Sequence, residues 1–342
     1  MTILMSCFLI WVFMSMLWSL SGYYALNKSI AMLLLAWSFF SGAFIVGSSM
    51  VRVKRFFSLI VILGLIFSAD AMLLLSAEDY SGDVMMGLTN DYIITSIMIS
   101  TSLLLITVHH VITVKKSNIR NIILGLVQLY LLFMVLTLGA KGPLIALIIA
   151  YSVLFSYAYS LKNTTISTTK STKSKIYFYL IFFISSIFLI DNEQFISIER
   201  LVYFVVNFSN QSDLGGRVWL NFIALNMWME DPIMGKGIGS FGVYVYDQDF
   251  KAYSHNIFTE TMAELGLIGL LLLVFIFYIP LRLVPRSDNI MFIIPYVGFI
   301  FYLVTVQFSG SLPDHKILFT LIGIISASSV YLPRSNLIRK VK

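Results

Sequence analysis

The chain has 342 residues, 58% of them apolar and only 12% charged, with a mean hydropathy of +0.89. Soluble proteins carry roughly 25% charged residues, so this composition excludes an ordinary soluble enzyme and points to an all-α polytopic integral membrane protein. The net charge of +6 is then loop bias and no nucleic-acid footprint, and a single cysteine, Cys7, excludes an intrachain disulfide or a Cys-based metal site.

Apolar runs of membrane length predict about ten transmembrane helices, at roughly 2–22, 29–50, 56–76, 92–113, 120–138, 142–161, 176–190, 257–280, 290–308 and 317–332. The first run has no basic leader and no small-residue cleavage site, so it reads as a retained span. Basic residues follow every second span: Arg52, Lys54 and Arg55; Lys115, Lys116 and Arg120; Lys162, Lys170, Lys173 and Lys175; Arg282 and Arg286; Arg334, Arg339, Lys340 and Lys342. The positive-inside rule then puts both termini in the cytoplasm. The alternate loops face outward: an acidic one with Glu78, Asp79, Asp83 and Asp91, a short one after span nine, and a long one between spans seven and eight. Three parts follow: an N-terminal bundle at 1–190, a large external loop at 191–256, and C-terminal helices at 257–342. The Thr/Ser/Lys-rich stretch 163–174 reads as a cytoplasmic loop. Asn163, Asn207 and Asn210 lie in Asn-x-Ser/Thr patterns, which arise often by chance.

Segment 215–269 gathers the chemistry. Turn-forming residues lead into Gly215-Gly216, and a helix is predicted from about Arg217 to Glu230, with Val218, Phe222, Leu225 and Met229 at helical spacing. Too short and too aromatic to span, it reads as an interfacial helix with Trp219 and Trp228 at headgroup depth. An arginine in a first turn opposes the helix dipole unless an anion approaches. Gly216, the helix N-terminus and Arg217 therefore read as a phosphate seat, against the plainer alternative of a snorkelling arginine.

Asp231-Pro232 ends that helix, and Gly235, Gly237, Gly239 and Gly242 follow. With no strand–helix unit around them, these glycines read as tight backbone turns rather than a nucleotide loop, and Lys236 as a solvated lysine. His255-Asn256 stands at the membrane entry of span eight, with Glu260 and Glu264 at successive turns beyond. His255 is a natural general base, with a helix-capping role as the alternative. The two glutamates are functional candidates or a structural pairing. Lys141, in the turn 139–143 between spans five and six, adds a cation on the same predicted face. Two cations and a histidine there suit an anionic lipid headgroup, a diphosphate above all. Asp70, the run Asp314-His315-Lys316, and His109-His110 read as anchors or local pairs.

These blocks resemble the bacterial O-antigen polymerase and O-antigen ligase superfamily (Wzy and WaaL types). Gly139-Ala140-Lys141-Gly142-Pro143 is similar to its Ser-Arg-Gly turn, and Gly216-Arg217 with Trp219 to its second arginine block. Residues 231–241, His255-Asn256 and Glu264-Leu265-Gly266-Leu267-Ile268-Gly269 resemble its signature segment. Lys141 departs from the family's arginine, keeping the charge and losing the bidentate fork.

The resemblance implies a GT-C-like helical bundle in the bacterial inner membrane. It also implies an inverting, metal-independent glycosyltransferase without cofactor, acting on the periplasmic face. Donor and acceptor would be undecaprenyl-diphosphate-linked oligosaccharides, with a chain-length regulator (Wzz-type) and a flippase (Wzx-type) as further partners. Arg217 and His255 would be catalytic, and Arg217, Lys141, Asn256, Glu260, Glu264 and Gly216 would bind diphosphate or glycan. Polymerisation of capsule, exopolysaccharide or O-antigen repeat units is the leading expectation. Ligation of finished glycan to a lipid A core is the alternative. A transporter is disfavoured because the polar groups gather at one face and no inverted repeat is visible.

Overall fold

A computed structural model describes residues 1–75, 91–112, 118–138, 140–161, 212–283 and 290–339. Expected span seven, the linker 163–174, the three glycosylation patterns and most of the acidic loop fall outside them. Among the described residues every regular element is helical. Five helices are long and apolar enough to cross a membrane: Tyr23–Val46, Met50–Leu74, Tyr92–Val111, Ile119–Thr137 and Ile257–Arg282. Shorter apolar helices occupy Thr2–Trp18, Lys141–Tyr157, Ile293–Thr305 and Lys316–Ala327. Each expected span whose residues are described thus falls on a helix, while the count of ten crossings rests on the sequence.

In chain order the helices are α1 (Thr2–Ser15), α2 (Tyr23–Phe40), α3 (Met50–Leu75), α4 (Tyr92–Ile112), α5 (Asn118–Thr137), α6 (Lys141–Leu161), α7 (Ser212–Glu230), α8 (Phe241–Tyr246), α9 (Ile257–Arg282), α10 (Ile290–Thr305) and α11 (Lys316–Arg339). A π turn, Ser41–Val46, extends α2, and short 3-10 turns stand at Met16–Trp18 and Leu312–Asp314. The contacts define two compact units.

One unit comprises residues 54–208 and 285–305. Here α4 packs against α5, α6 and α10. Several of its buried polar groups are paired across helices. The Gln128 amide donates to Thr107 Oγ1 at 3.0 Å and faces His110 Nδ1 at 3.3 Å, while Thr101 Oγ1 meets the Tyr302 hydroxyl at 3.0 Å. Such bonds hold helices together where apolar contact alone gives little selectivity. Lys141, the first residue of α6, belongs to this unit, as does Asp70 on α3.

The other unit comprises residues 1–53, 209–284 and 306–342, and contains Gly216, Arg217, His255, Asn256, Glu260 and Glu264. Within it α1 and α7 pack along α9, and α11 packs against α2 and its π turn. Close approach explains the last contact: a Cβ on Gly47 would meet that of Ala327 at 2.7 Å, and one on Gly323 would meet the backbone nitrogen of Ala43 at 2.7 Å. Ala224, Met227, Phe241, Ala252 and Ala263 form a small buried core joining α7, α8 and α9.

The interfacial helix is longer than the sequence suggested. It begins at Ser212, so Gly215 and Gly216 are helical and Arg217 lies in the second turn. The expected seat of helix N-terminus, glycine approach and arginine is therefore corrected: Arg217 projects from the side of α7. The apolar stripe behaves as expected of a membrane-lying helix. Val218, Phe222 and Met229 are each at least 60% exposed, whereas Ala224 and Met227 face the protein. With apolar residues on its outer face as well as its inner one, the helix has the surface expected of one lying at a membrane interface.

Candidate functional site

The glycine-dense loop that follows α7 is tied to a break in α9. Gly266 has φ 65° and ψ −164°, a conformation open in practice to glycine alone, and α9 is interrupted there. A broken helix leaves carbonyls before the break and N–H groups after it without partners. The loop supplies them. The N–H groups of Lys236 and Gly237 donate to the carbonyls of Ala263 and Glu264 at 3.0 and 2.9 Å. In return the N–H groups of Leu267 and Ile268 donate to the carbonyls of Pro232 and Ile233 at 2.9 and 3.4 Å.

Two tryptophans complete the joint: the Trp11 indole N–H donates to Leu265 O at 2.9 Å and that of Trp18 to Gly235 O at 3.1 Å. Gly235, Gly237 and Gly239 all have positive φ, and a Cβ on Gly237 would strike the carbonyl of Ser15 at 2.7 Å. These three glycines make the tight turns expected of them, and what they approach closely is the protein's own backbone. Lys236 is not merely solvated. It pairs with Asp231 at 2.6 Å and Glu230 at 3.0 Å, which raises its pKa, and Glu230 also accepts from the Tyr244 hydroxyl.

The segment after α8 brings His255 to the start of α9. Asp249 fixes its beginning, accepting from Ser21 Oγ and from the N–H groups of Gly22, Tyr23 and Tyr24; these bonds hold its carboxyl below the usual range. The helix cap is Asn256, not His255: Asn256 Oδ1 accepts from the N–H groups of Phe258 and Thr259 at 2.9 and 3.3 Å. His255 adopts φ 63°, and its ring lies 4.5 Å from that of Tyr253. A non-glycine residue held in the left-handed region at a candidate catalytic position is an outlier that packing has to sustain.

Arg217, Asn256 and Ser254, the two neighbours of His255 among them, belong to one hydrogen-bonded assembly. The Asn221 amide donates to the Arg217 carbonyl at 2.8 Å, Asn221 Oδ1 accepts from Thr259 Oγ1 at 2.6 Å, and Thr259 Oγ1 meets Ser254 Oγ at 2.8 Å. The Asn256 amide donates to Gln307 Oε1 at 3.0 Å, and Arg217 Nη1 donates to Phe308 O at 3.1 Å. A neutral carbonyl orients the guanidinium without neutralising it. Among the described residues no carboxylate forms an ion pair with Arg217. The site thus presents a positioned cation on α7, tied through amide and hydroxyl groups to the segment that carries His255.

Glu260 and Glu264 are both buried and share one ammonium, that of Lys28 on α2, at 2.5 and 2.7 Å. Glu260 further accepts from Ser311 Oγ at 2.6 Å and from Leu312 N–H at 3.1 Å. Of the two alternatives for these glutamates, the geometry is that of structural pairing. Sequence reasoning missed Lys28, whose partners lie more than 200 residues further on. The available signal was a lysine inside an apolar helix, which demands a buried partner.

Asp314 pairs with Lys251 at 3.1 Å. Burial pushes the His315 imidazole down to about 4 despite Asp314 and Glu260, so it is neutral at pH 7. Gly216 meets open space at its Cβ position on α7. Among the described residues no three His, Cys, Asp or Glu side chains gather as a metal site.

Among the described residues, five helices of membrane length and a surface helix with an exposed apolar face define the class, that of a helical membrane protein, and Arg217 on that surface helix is oriented by a backbone carbonyl. Residues 111–274 match the family model Wzy_C, described as O-antigen ligase. This match spans just under half of the chain and supports the O-antigen polymerase/ligase superfamily. No curated protein matches the chain.

Proposed function

We propose that the chain is a glycosyltransferase that polymerises lipid-linked oligosaccharide repeat units on the outer face of the cytoplasmic membrane. The observation that carries this reading is the assembly joining Arg217, Asn256 and the backbone beside His255, with Arg217 held by a carbonyl rather than a carboxylate. A donor glycan on undecaprenyl diphosphate needs a cation where charge grows on the departing diphosphate. Arg217 fills that role.

In the transfer, an acceptor sugar hydroxyl attacks the anomeric carbon, the bond from that carbon to the diphosphate oxygen breaks, and the lipid diphosphate leaves. His255 takes the hydroxyl proton. Attack opposite to the leaving group inverts the anomeric centre. Gly216 leaves room on α7 for ligand to approach. With their carboxylates engaged by Lys28, Glu260 and Glu264 support the site rather than contact glycan.

The test is to size undecaprenyl-linked glycans extracted from a deletion strain. Accumulation of a single repeat unit, with nothing longer, is the result expected of a lost polymerase. A full ladder stranded on the carrier would instead identify a ligase, and an unchanged profile would refute both.

A further inference from the structure

The segment that aims Arg217 is held by the buried ion cluster. Phe308 supplies the carbonyl that receives the Arg217 guanidinium, and three residues on Ser311 and Leu312 are bound by Glu260. Between them Gly310 turns at φ 84°, with the His315 ring packed where a Cβ would stand, 2.8 Å from its Cε1. Ser311 also forms a capping box with Asp314. Lys28 in turn bridges Glu260 and Glu264, with side-chain exposures of 0%, 1% and 2% for the three groups. A buried carboxylate paired with a lysine and receiving two further hydrogen bonds has little freedom, so the backbone it grips is fixed as well.

We infer that Lys28, Glu260 and Ser311 are positioning residues. Through segment 307–312 they set where the Arg217 guanidinium points, and so tune affinity for the lipid-borne diphosphate. The inference rests on the reading of Arg217 given above. Glu260 acts from a distance in this scheme: the glutamate grips the segment, and the segment's carbonyl grips the arginine. Its negative charge is answered by Lys28, which keeps it from competing with the ligand for Arg217.

The experiment measures binding of undecaprenyl diphosphate to the full-length protein in lipid nanodiscs, for wild type, Ser311→Ala, Gly310→Ala, Arg217→Ala, and each of the first two combined with Arg217→Ala. Ser311→Ala removes the hydrogen bond to Glu260 and the side-chain half of the capping box, and leaves the Leu312 bond. Gly310→Ala perturbs the same segment without touching any charge. Either single variant is expected to bind about three- to tenfold more weakly. In the Arg217→Ala background neither should weaken binding further, because the group they act through is gone. A purely structural role would weaken binding equally in both backgrounds, and that additivity would overturn the inference. So would unchanged binding in both single variants while Arg217→Ala binds poorly. If Arg217→Ala binds as wild type does, the diphosphate role of Arg217 fails, and the inference fails with it.

Discussion

At the scale of single residues, His255 is where backbone and chemistry meet. Its left-handed φ of 63° turns the chain sharply ahead of Asn256, which then caps α9. An L-residue in that conformation is disfavoured by roughly 1–2 kcal/mol, and glycine is not. Two variants therefore separate the backbone from the imidazole. His255→Ala keeps the strain and His255→Gly relieves it, so His255→Gly should be the more heat-stable by about 1 kcal/mol. Both should lose polymer, because both lose the proposed base. Melting in detergent beside polymer length in a complemented strain reads the two effects; polymer restored by His255→Gly would show that only the turn matters. The sequence made His255 visible through its chemistry, as an ionisable group at the mouth of an apolar helix. The turn it forms was not visible, since nothing in Tyr253-Ser254-His255-Asn256 declares which residue takes the left-handed conformation and which the cap.

At the scale of elements, the loop 231–239 and the broken helix α9 make a single joint, each satisfying the other's backbone. Of this the sequence showed half. Four closely spaced glycines announced tight turns, yet Gly266 sits in an apolar run that reads as uninterrupted helix, and a helix break is legible only once its partner is in place. The start of α7 was misplaced for a related reason. Turn-forming Ser212, Asp213, Gly215 and Gly216 are helical because α7 lies along α9, and tertiary packing overrides weak local preference. The joint makes a sharp prediction. A Cβ at Gly266 would stand 2.6 Å from the Gly235 nitrogen and require a glycine-only backbone, so Gly266→Ala should destabilise by about 2–5 kcal/mol. Gly125→Ala, whose Cβ meets open space on α5, is the control and should leave folded yield unchanged. Fluorescence-detected size-exclusion profiles of tagged variants would compare them; a normal, monodisperse Gly266→Ala peak would refute the joint.

At the scale of the whole molecule, the membrane arrangement rests on two independent signals. Apolar length marks the helices, five of which among the described residues are long enough to cross, and loop charge is the sequence's indication of their direction. The charge pattern was readable because Lys and Arg recur in every second loop, whereas ion pairing across the fold was not: Lys28 on α2 and Glu260 on α9 look unrelated until the helices meet. If the alternation holds, the glycine joint, His255 and the Arg217 helix all face away from the cytoplasm, where a lipid-linked glycan would arrive. Reporter fusions give the check. Alkaline phosphatase, active only outside the cytoplasm, should be active when fused after Asp83 or Asp247 and inactive after Lys170 or Arg286. Moving positive charge should matter as well: replacing Arg52, Lys54 and Arg55 together with neutral residues ought to weaken the bias that holds α2 and α3 in their orientation, giving mixed activity after Asp83. Activity after Lys170 in the unmodified chain would invert the assignment. A site on the cytoplasmic face would then have to take its glycan before export, and the proposed reaction would lose its substrate.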